Sequence, residues 1–185
     1  ETSIGRGELD AEIAVVVSDR DGVAGIDRAA EAELTTSLLV RRDFDSAAAW
    51  SEAAFAVCRD AKVDLVVLAG FLSLVVVPDD FQLRVVNIHP SLIPAFCGQG
   101  FYGHHVHEAA IERGVRVSGC TVHLVDNEYD HGPILLQRVV PVQTGDTAED
   151  LAARVFEAEC EAYPEAIQLL AEGGLQLSGG RLTTD

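Results

Sequence analysis

The sequence predicts a single α/β domain with a mostly parallel central sheet flanked by helices. Apolar, β-branched runs alternate along the chain with segments of helical spacing, which is the pattern of a sheet whose strands are linked by helices. No internal repeat or linker-like stretch divides the 185 residues, which are enough for one domain with a substantial core. We therefore expect residues 1–185 to form one domain.

In the first third of the chain, two predicted strands alternate with two predicted helices. The turn sequence Asp19–Gly22 ends the first strand, and either Asp45 or Ser46 can cap the second helix. In chain order these elements are Ala11–Ser18, Val23–Ala32, Thr35–Val40 and Asp45–Ala61.

The middle of the chain holds the two runs most typical of central strands. Val63–Ala69 and Arg84–Ile88 are largely apolar, as expected for parallel strands that are buried on both faces. Ligands of such sheets bind beyond the carboxyl ends of the strands. The residues directly after these two runs are therefore the first candidates for a functional site.

A helix and two further strands precede a long C-terminal helix. The first of these helices ends at Gly114, a residue that readily adopts the left-handed conformation found at helix C-termini. In chain order the elements are His105–Arg113, Ser118–Val125, Ile134–Val142 and Glu149–Gly173, followed by a hairpin over Leu175–Thr183.

The composition excludes several classes of function. The chain has 13 basic and 30 acidic residues, a net charge of −17, and so acidic a surface repels the phosphate backbone of nucleic acids. No apolar run is long enough to cross a bilayer. The four cysteines are widely spaced, which favours free thiols in a reducing cytoplasm over a disulfide or zinc framework. We expect no binding to nucleic acid or membrane, and a cytoplasmic location.

The segment Asn87–Ser91 carries two side chains suited to stabilising an oxyanion. Residues two apart on a strand point to the same side, so Asn87 and His89 can face one site. An amide N–H can donate to a developing negative charge, and an imidazole can donate or shuttle a proton. The alternative is structural, in which Asn87 bonds to loop backbone and His89 is a buried histidine with satisfied hydrogen bonds.

An acidic loop, Asp126–Pro133, lies between two predicted strands. Turn residues are common in such a loop, so most of its carboxylates are expected to be solvated. One of them, placed beside His89, would hold the tautomer of that imidazole. The spacing does not identify which one.

Three histidines, His104, His105 and His107, raise the alternative of a metal site. Their spacing matches no standard zinc signature and the later histidines are remote, so no metal is expected. Cys97 lies near them and could form a thiol–imidazole nucleophile, but no oxyanion-hole motif accompanies it.

Several segments together resemble the folate-dependent phosphoribosylglycinamide formyltransferase family. The pair formed by Asn-x-His-Pro at Asn87–Pro90 and Asp-x-Gly-Pro at Asp130–Pro133 is specific to folate formyl-transfer domains. The full set of matching segments, in family order, is VVLAGF (Val66–Phe71), NIHPSLIPAF (Asn87–Phe96), GQGFYGHHVHEA (Gly98–Ala109), SGCTVHLVDNEYDHGPILLQ (Ser118–Gln137) and RVFEAECEAYPEA (Arg154–Ala166).

The resemblance implies a Rossmann-like formyltransferase fold. Its first strand is expected before Glu1, so that the domain in this chain is N-terminally incomplete. The implied activity is transfer of the formyl group of the co-substrate 10-formyltetrahydrofolate to the amine of glycinamide ribonucleotide, in de novo purine biosynthesis. By matching position, Asn87 and His89 would bind the formyl oxygen, and Asp130 would be the acid that pairs with His89.

The resemblance also implies binding residues for the two substrates. Those for folate are Leu72, Ser73, Leu74, Val75 and Asn87. Those for the nucleotide are Gly70, Leu72, Ile88, Pro90 and Glu159, the last through ribose hydroxyls. Two positions depart from the family pattern: Ser73 replaces a basic residue, and Ala47 stands where some members have an arginine that contacts folate.

Other functions share parts of this pattern. A 10-formyltetrahydrofolate hydrolase would use the same Asn, His and Asp with water as the acceptor, and a non-catalytic truncation would bind folate without turnover. Methionyl-tRNA formyltransferase is disfavoured by the acidic charge. We expect a monomer or homodimer whose partners are small molecules.

Overall fold

Strands and helices alternate along the chain in a computed structural model, which describes residues 2–173, 175–178 and 181–184. In these residues the helices and strands are, in order, α1 Thr2–Gly5, β1 Val16–Ser18, α2 Ala24–Glu31, β2 Thr36–Leu38, α3 Ala47–Asp60, β3 Val66–Leu68, β4 Val85–His89, α4 His104–Arg113, β5 Val117–Leu124, β6 Ile134–Pro141, α5 Ala148–Ala171, β7 Leu175–Ser178 and β8 Arg181–Thr184. Short 3₁₀ turns cover Arg41–Asp43 and Asp79–Phe81. The predicted α/β class is confirmed. No helix in the described part of the chain is long and apolar enough to cross a membrane.

The strands pair in both directions. β1 and β2 form a parallel pair, and the larger sheet has the order β3-β4-β5-β6. Within it β3 and β4 are parallel, whereas β5 is antiparallel to both of its neighbours. The sheet is therefore mixed. Residues 125–133 join β5 and β6 as a hairpin, which makes these two strands antiparallel. β7 and β8 form the predicted final hairpin, whose turn at Gly179 and Gly180 lies outside the described residues.

Two strands are shorter than their apolar runs predicted. β1 begins at Val16 rather than Ala11, and β3 covers only Val66–Leu68 of the run Val63–Ala69. A strand extends only as far as its hydrogen-bonded ladder, and β2 offers β1 three partner residues. β4 instead runs one residue further than predicted and includes His89.

The helix ends follow from local hydrogen bonds. The Ser46 hydroxyl accepts a bond from the Ala49 N–H at 3.1 Å, which confirms Ser46 as the cap of α3. α5 begins with a capping box between Thr147 and Asp150. Gly114 ends α4 in the predicted left-handed conformation, with φ of 72°.

Two apolar cores lie on opposite faces of β4. Val86 packs with Leu151 and Val155 of α5, whereas Val85 packs with Trp50 and Phe55 of α3. Side chains alternate along a strand, so residues 87 and 89 share the face of Val85. The fold therefore directs the two candidate catalytic side chains toward the α3 side of the sheet.

Candidate active site

Asn87 and His89 lie side by side near the carboxyl end of β4. The antiparallel register places His123 of β5 opposite Asn87, and Thr121 opposite His89. Because directly opposed residues share a face, these four polar side chains form one patch on the sheet. His89, Thr121 and His123 are buried, so the patch is shielded from bulk solvent.

His89 has an oxygen acceptor at each ring nitrogen. Its Nε2 lies 2.9 Å from the carbonyl oxygen of Phe96, and its Nδ1 lies 3.5 Å from Oδ2 of Asp130. Both acceptors are oxygens, so the ring makes both contacts when both nitrogens carry protons. The Asp130 contact exceeds the usual N–H···O distance, which leaves this the looser of the two contacts.

Asp130 is brought to His89 by the β5–β6 connection. Its Oδ2 also accepts a hydrogen bond from the Gly98 N–H at 2.8 Å, and only 11% of its side chain is exposed. The connection turns tightly at Gly132, where an added Cβ would lie 1.9 Å from the carbonyl oxygen of Leu124. The glycine of the Asp-x-Gly-Pro motif is therefore required by the backbone path that positions Asp130.

Asn87 contacts a second histidine. Its Nδ2 lies 3.2 Å from Nε2 of His123, and Nδ1 of His123 lies 2.8 Å from the carbonyl oxygen of Leu124. Burial lowers the pKa of His123, as does the nearby His89, although the Leu124 carbonyl and Asp130 act in the opposite direction. His123 is therefore neutral at physiological pH.

Thr121 ties the loop after β4 to the sheet. Its hydroxyl donates to the carbonyl oxygen of Ser91 at 2.6 Å and accepts from the Ile93 N–H at 3.1 Å. Gln137 of β6 donates to the same hydroxyl oxygen at 2.9 Å. This buried hydroxyl thus fixes the loop whose Phe96 carbonyl contacts His89.

The predicted folate segment is an irregular loop after β3. Leu72 is exposed, and Ser73 and Leu74 are half-buried. Val75, in contrast, is 5% exposed and packs in the α3 core, so its side chain is not available to a ligand. The next two backbone N–H groups of this loop also donate hydrogen bonds, each at 2.9 Å. The N–H of Val76 donates to the Ser51 hydroxyl, and the N–H of Val77 donates to the side-chain amide oxygen of Asn127.

The predicted nucleotide residues lie partly at the strand ends and partly on the α5 side of the sheet. Gly70 and Pro90 follow the carboxyl ends of β3 and β4, whereas the side chain of Ile88 packs in the α5 core. Glu159 projects from α5, and burial raises the pKa of its carboxyl to about 7. A single ligand that reaches these residues has to pass over the carboxyl ends of the strands.

A family model described as formyl transferase matches residues 2–167. The chain belongs to the formyl transferase family. It is 41% identical over 169 residues to the trifunctional purine biosynthetic protein adenosine-3 of Gallus gallus, a match that covers 90% of this chain and spans only 16% of the length of that protein.

Solved structures of the formyl transferase family share this fold. The glycinamide ribonucleotide transformylase 1 of Symbiobacterium toebii superposes with a TM-score of 0.92 at 41% identity, covering 99% of this chain and 85% of that one. A formyltetrahydrofolate deformylase of Pseudomonas syringae gives a TM-score of 0.84 at 23% identity, covering 99% of this chain and 59% of that one. The second likeness concerns the fold alone.

The histidines at the start of α4 pair with carboxylates, and the nearby Cys97 is a protonated thiol. His104 Nε2 lies 3.3 Å from Glu149, and His105 Nδ1 lies 2.9 Å from Glu108, so both imidazoles pair with carboxylates. Within the described residues, no group of three or more His, Cys, Asp or Glu side chains is arranged to hold a metal ion. Burial, aided by Asp130, raises the pKa of Cys97, which keeps this thiol protonated and a weak nucleophile.

Sequence reasoning missed four side chains that build this formyl transferase site. Thr121 and His123 are recognisable only from the β4–β5 register, which places them opposite His89 and Asn87. Ser51 and Asn127 act across long sequence separations on one loop. The signal available in the sequence was the alternation of Thr121 and His123 on a predicted strand.

Proposed function

We propose that this protein transfers the formyl group of 10-formyltetrahydrofolate to the amine of glycinamide ribonucleotide, in de novo purine biosynthesis. The observation that carries the proposal is the arrangement of the buried His89 with the half-buried Asn87 and Asp130, with His89 3.5 Å from Asp130. The sequence identity of this chain is 41% to the transformylase of Symbiobacterium toebii and 23% to the deformylase of Pseudomonas syringae. This difference supports the nucleotide amine, rather than water, as the acceptor of the formyl group.

The reaction requires stabilisation of a tetrahedral oxyanion. The amine nitrogen attacks the formyl carbon, and the carbonyl electron pair moves to the formyl oxygen. Asn87 has one Nδ2 hydrogen left after its contact with His123, and this hydrogen donates to the oxyanion. His89 donates its Nδ1–H to the oxyanion in place of the looser, 3.5 Å contact with Asp130, while its Nε2 keeps the contact with the Phe96 carbonyl. Donors held in a buried site act more strongly than they would in water.

Collapse of the intermediate restores the carbonyl and breaks the bond between carbon and N10 of the folate. The attacking amine loses a proton, and N10 gains one as tetrahydrofolate leaves. The pair formed by His89 and Asp130 is the proton-transfer group for this exchange. The proposed mechanism assigns no step to a metal ion.

The substrate-binding residues are proposed in two groups. Folate is bound by the loop after β3, through Leu72, Ser73 and Leu74 and through the backbone of Val75, beside Asn87. The nucleotide is bound over the strand ends through Gly70, Leu72, Ile88, Pro90 and Glu159. Ile88 contributes its backbone, because its side chain packs in the core.

We further propose a cytoplasmic enzyme that acts as a monomer or homodimer on small molecules, without nucleic acid. The four cysteines are all free thiols, which supports a reducing compartment. Asn87, His89 and Asp130 all come from one chain, so the proposed chemistry needs no residue from a second copy.

The function is tested by incubating the protein with 10-formyltetrahydrofolate in the presence and absence of glycinamide ribonucleotide. We expect tetrahydrofolate release to require the nucleotide and to match the yield of formylated nucleotide. Release at an equal rate without nucleotide would identify a hydrolase instead. Folate binding without release under either condition would identify a non-catalytic binding protein.

An Asp130→Asn variant tests the acid that pairs with His89. Asparagine keeps the size of the side chain but removes its charge, so kcat should fall by about 10- to 100-fold. Unchanged turnover would mean that the role of Asp130 is only to accept the hydrogen bond from the Gly98 N–H, which the amide oxygen of asparagine can also accept.

A further inference from the structure

The side-chain amide of Asn87 is held by His123 in one orientation. Nδ1 of His123 lies 2.8 Å from the carbonyl oxygen of Leu124, which can only accept a hydrogen bond. Nδ1 therefore carries the proton, and in the neutral ring Nε2 is left with a lone pair. The group 3.2 Å from Nε2 must then be a donor, which is the Nδ2 amide of Asn87 and not its oxygen.

The strand register supports this pairing. Asn87 and His123 are directly opposite each other in the β4–β5 ladder, and His123 is 2% exposed. The ring has little room to rotate away, because both of its nitrogens are engaged within the buried face. The contact is therefore built into the sheet and does not depend on a mobile loop.

We infer that His123 is a positioning residue, whose neutral ring orients the Asn87 amide so that the second Nδ2 hydrogen faces the substrate oxygen. This inference rests on the proposed function for its kinetic consequences. Without His123 the amide could rotate by half a turn and present its oxygen, which would repel an oxyanion instead of stabilising it.

The charges around His123 define when the orientation holds. His89 lies on β4, and Asp126 and Asp130 lie in the β5–β6 connection, with Asp130 Oδ1 3.8 Å from Nε2 of His123. Protonation of His123 would convert Nε2 into a donor that faces the donor Nδ2 of Asn87. Burial lowers the pKa of His123 and so favours the neutral, accepting ring.

The test compares two replacements that differ in the acceptor. His123→Phe fills the space without an acceptor, and we expect kcat to fall by about 10- to 100-fold with KM changed less than about twofold. His123→Gln places an amide oxygen near the position of Nε2, and it should recover most of the lost kcat. A Gln variant as slow as the Phe variant would overturn the inference.

A double-mutant cycle separates positioning from a general structural effect. In an Asn87→Ala background there is no amide to orient, so His123→Phe should reduce kcat no further. Additive losses would overturn the inference. His107→Phe is the matched control, since it removes another buried histidine, from α4, whose Nδ1 has no partner in the described part of the chain.

A measurement on the ligand-free protein keeps the inference separable from the proposed function. Nitrogen-15 NMR of His123 should show the proton on Nδ1, with a hydrogen bond from the Asn87 amide to Nε2. A proton on Nε2 would overturn the inference, whatever reaction the protein catalyses. Folate release without nucleotide would instead overturn the proposed acceptor and leave the pairing intact.

Discussion

The two faces of the β4–β5 ladder have opposite compositions. One face carries four apolar residues of the core that contains Leu151 and Val155 of α5, namely Val86, Ile88, Cys120 and Val122. The other carries Asn87, His89, Thr121 and His123. Both faces are formed by the same two strands, so the alternation of side chains gives one face to packing and the other to chemistry.

Loops supply many of the hydrogen-bond partners of the polar face. Buried polar groups are unfavourable unless they are hydrogen-bonded, and here the loop after β4 and the β5–β6 connection supply the partners. Thr121 binds the first loop, and His89 contacts both of them, through Phe96 and Asp130. Changes on this face should therefore affect catalysis first, whereas changes on the apolar face should affect stability first.

The largest expected effect is on the polar face. His89→Ala and Asn87→Ala should each lower kcat by about 10²- to 10³-fold, the usual loss for an oxyanion donor or a proton-transfer group. Steady-state kinetics measure the loss, and circular dichroism checks that the variants remain folded. A folded variant with a near-normal rate would show that the site lies elsewhere.

The apolar face should respond in the opposite way. Leu151 of α5 is fully buried in this core, so Leu151→Ala should lower the free energy of unfolding by about 2–5 kcal/mol. The kcat of the folded fraction should stay within about twofold. Phe156→Ala, on the same helix but 63% exposed, is the control and should change stability by less than about 0.5 kcal/mol. Urea denaturation measures both, and equal effects would contradict this division between buried and exposed faces of α5.

A glycine pair tests whether the loop holds the polar face together. Gly132→Ala would place Cβ 1.9 Å from the Leu124 carbonyl oxygen, so the connection must shift and carry Asp130 with it. We expect kcat to fall by about 10-fold or more. Gly25→Ala in α2 meets no atom within 4 Å and should stabilise the protein by up to about 1 kcal/mol without affecting kcat. Full activity of the Gly132 variant would show that Asp130 tolerates displacement.

The sequence could predict the polar face of β4 because it depends on strand periodicity alone. Asn87 and His89 are two residues apart on an apolar run, and their common orientation is confirmed. The choice of Asp130 among the loop acids came from the family resemblance. It could not come from spacing, because the path of the loop depends on the close approach of Gly132 to the Leu124 carbonyl.

The partners of these residues were not predictable in the same way. The pairing of Asn87 with His123 depends on β5 being antiparallel to β4 in one particular register, a choice made by tertiary packing. Val75 shows the converse, since a position in the predicted folate segment supplies its side chain to the core. Local pattern identifies which strand carries the chemistry, and register decides which side chains meet there.

The smallest expected effect is a pH dependence at the edge of the polar face. His131 Nδ1 lies 2.7 Å from Asp126 Oδ2 at an exposed site, and this hydrogen bond raises the pKa of His131 above its ordinary value of 6.5. Since the folded pKa is raised, the pair stabilises the fold fully below about pH 6.5 and loses this contribution as pH rises through the folded pKa. Thermal unfolding at about pH 5.5 should therefore show His131→Gln melting at a lower temperature than the wild type, with the difference vanishing near pH 9.

In an Asp126→Asn background the His131 substitution should have no pH-dependent effect on the melting temperature. The kcat at neutral pH should be unchanged, because neither residue contacts His89. A difference that grows with pH would mean that the neutral imidazole stabilises the loop, and that the edge of the polar face is held by hydrogen bonding without charge.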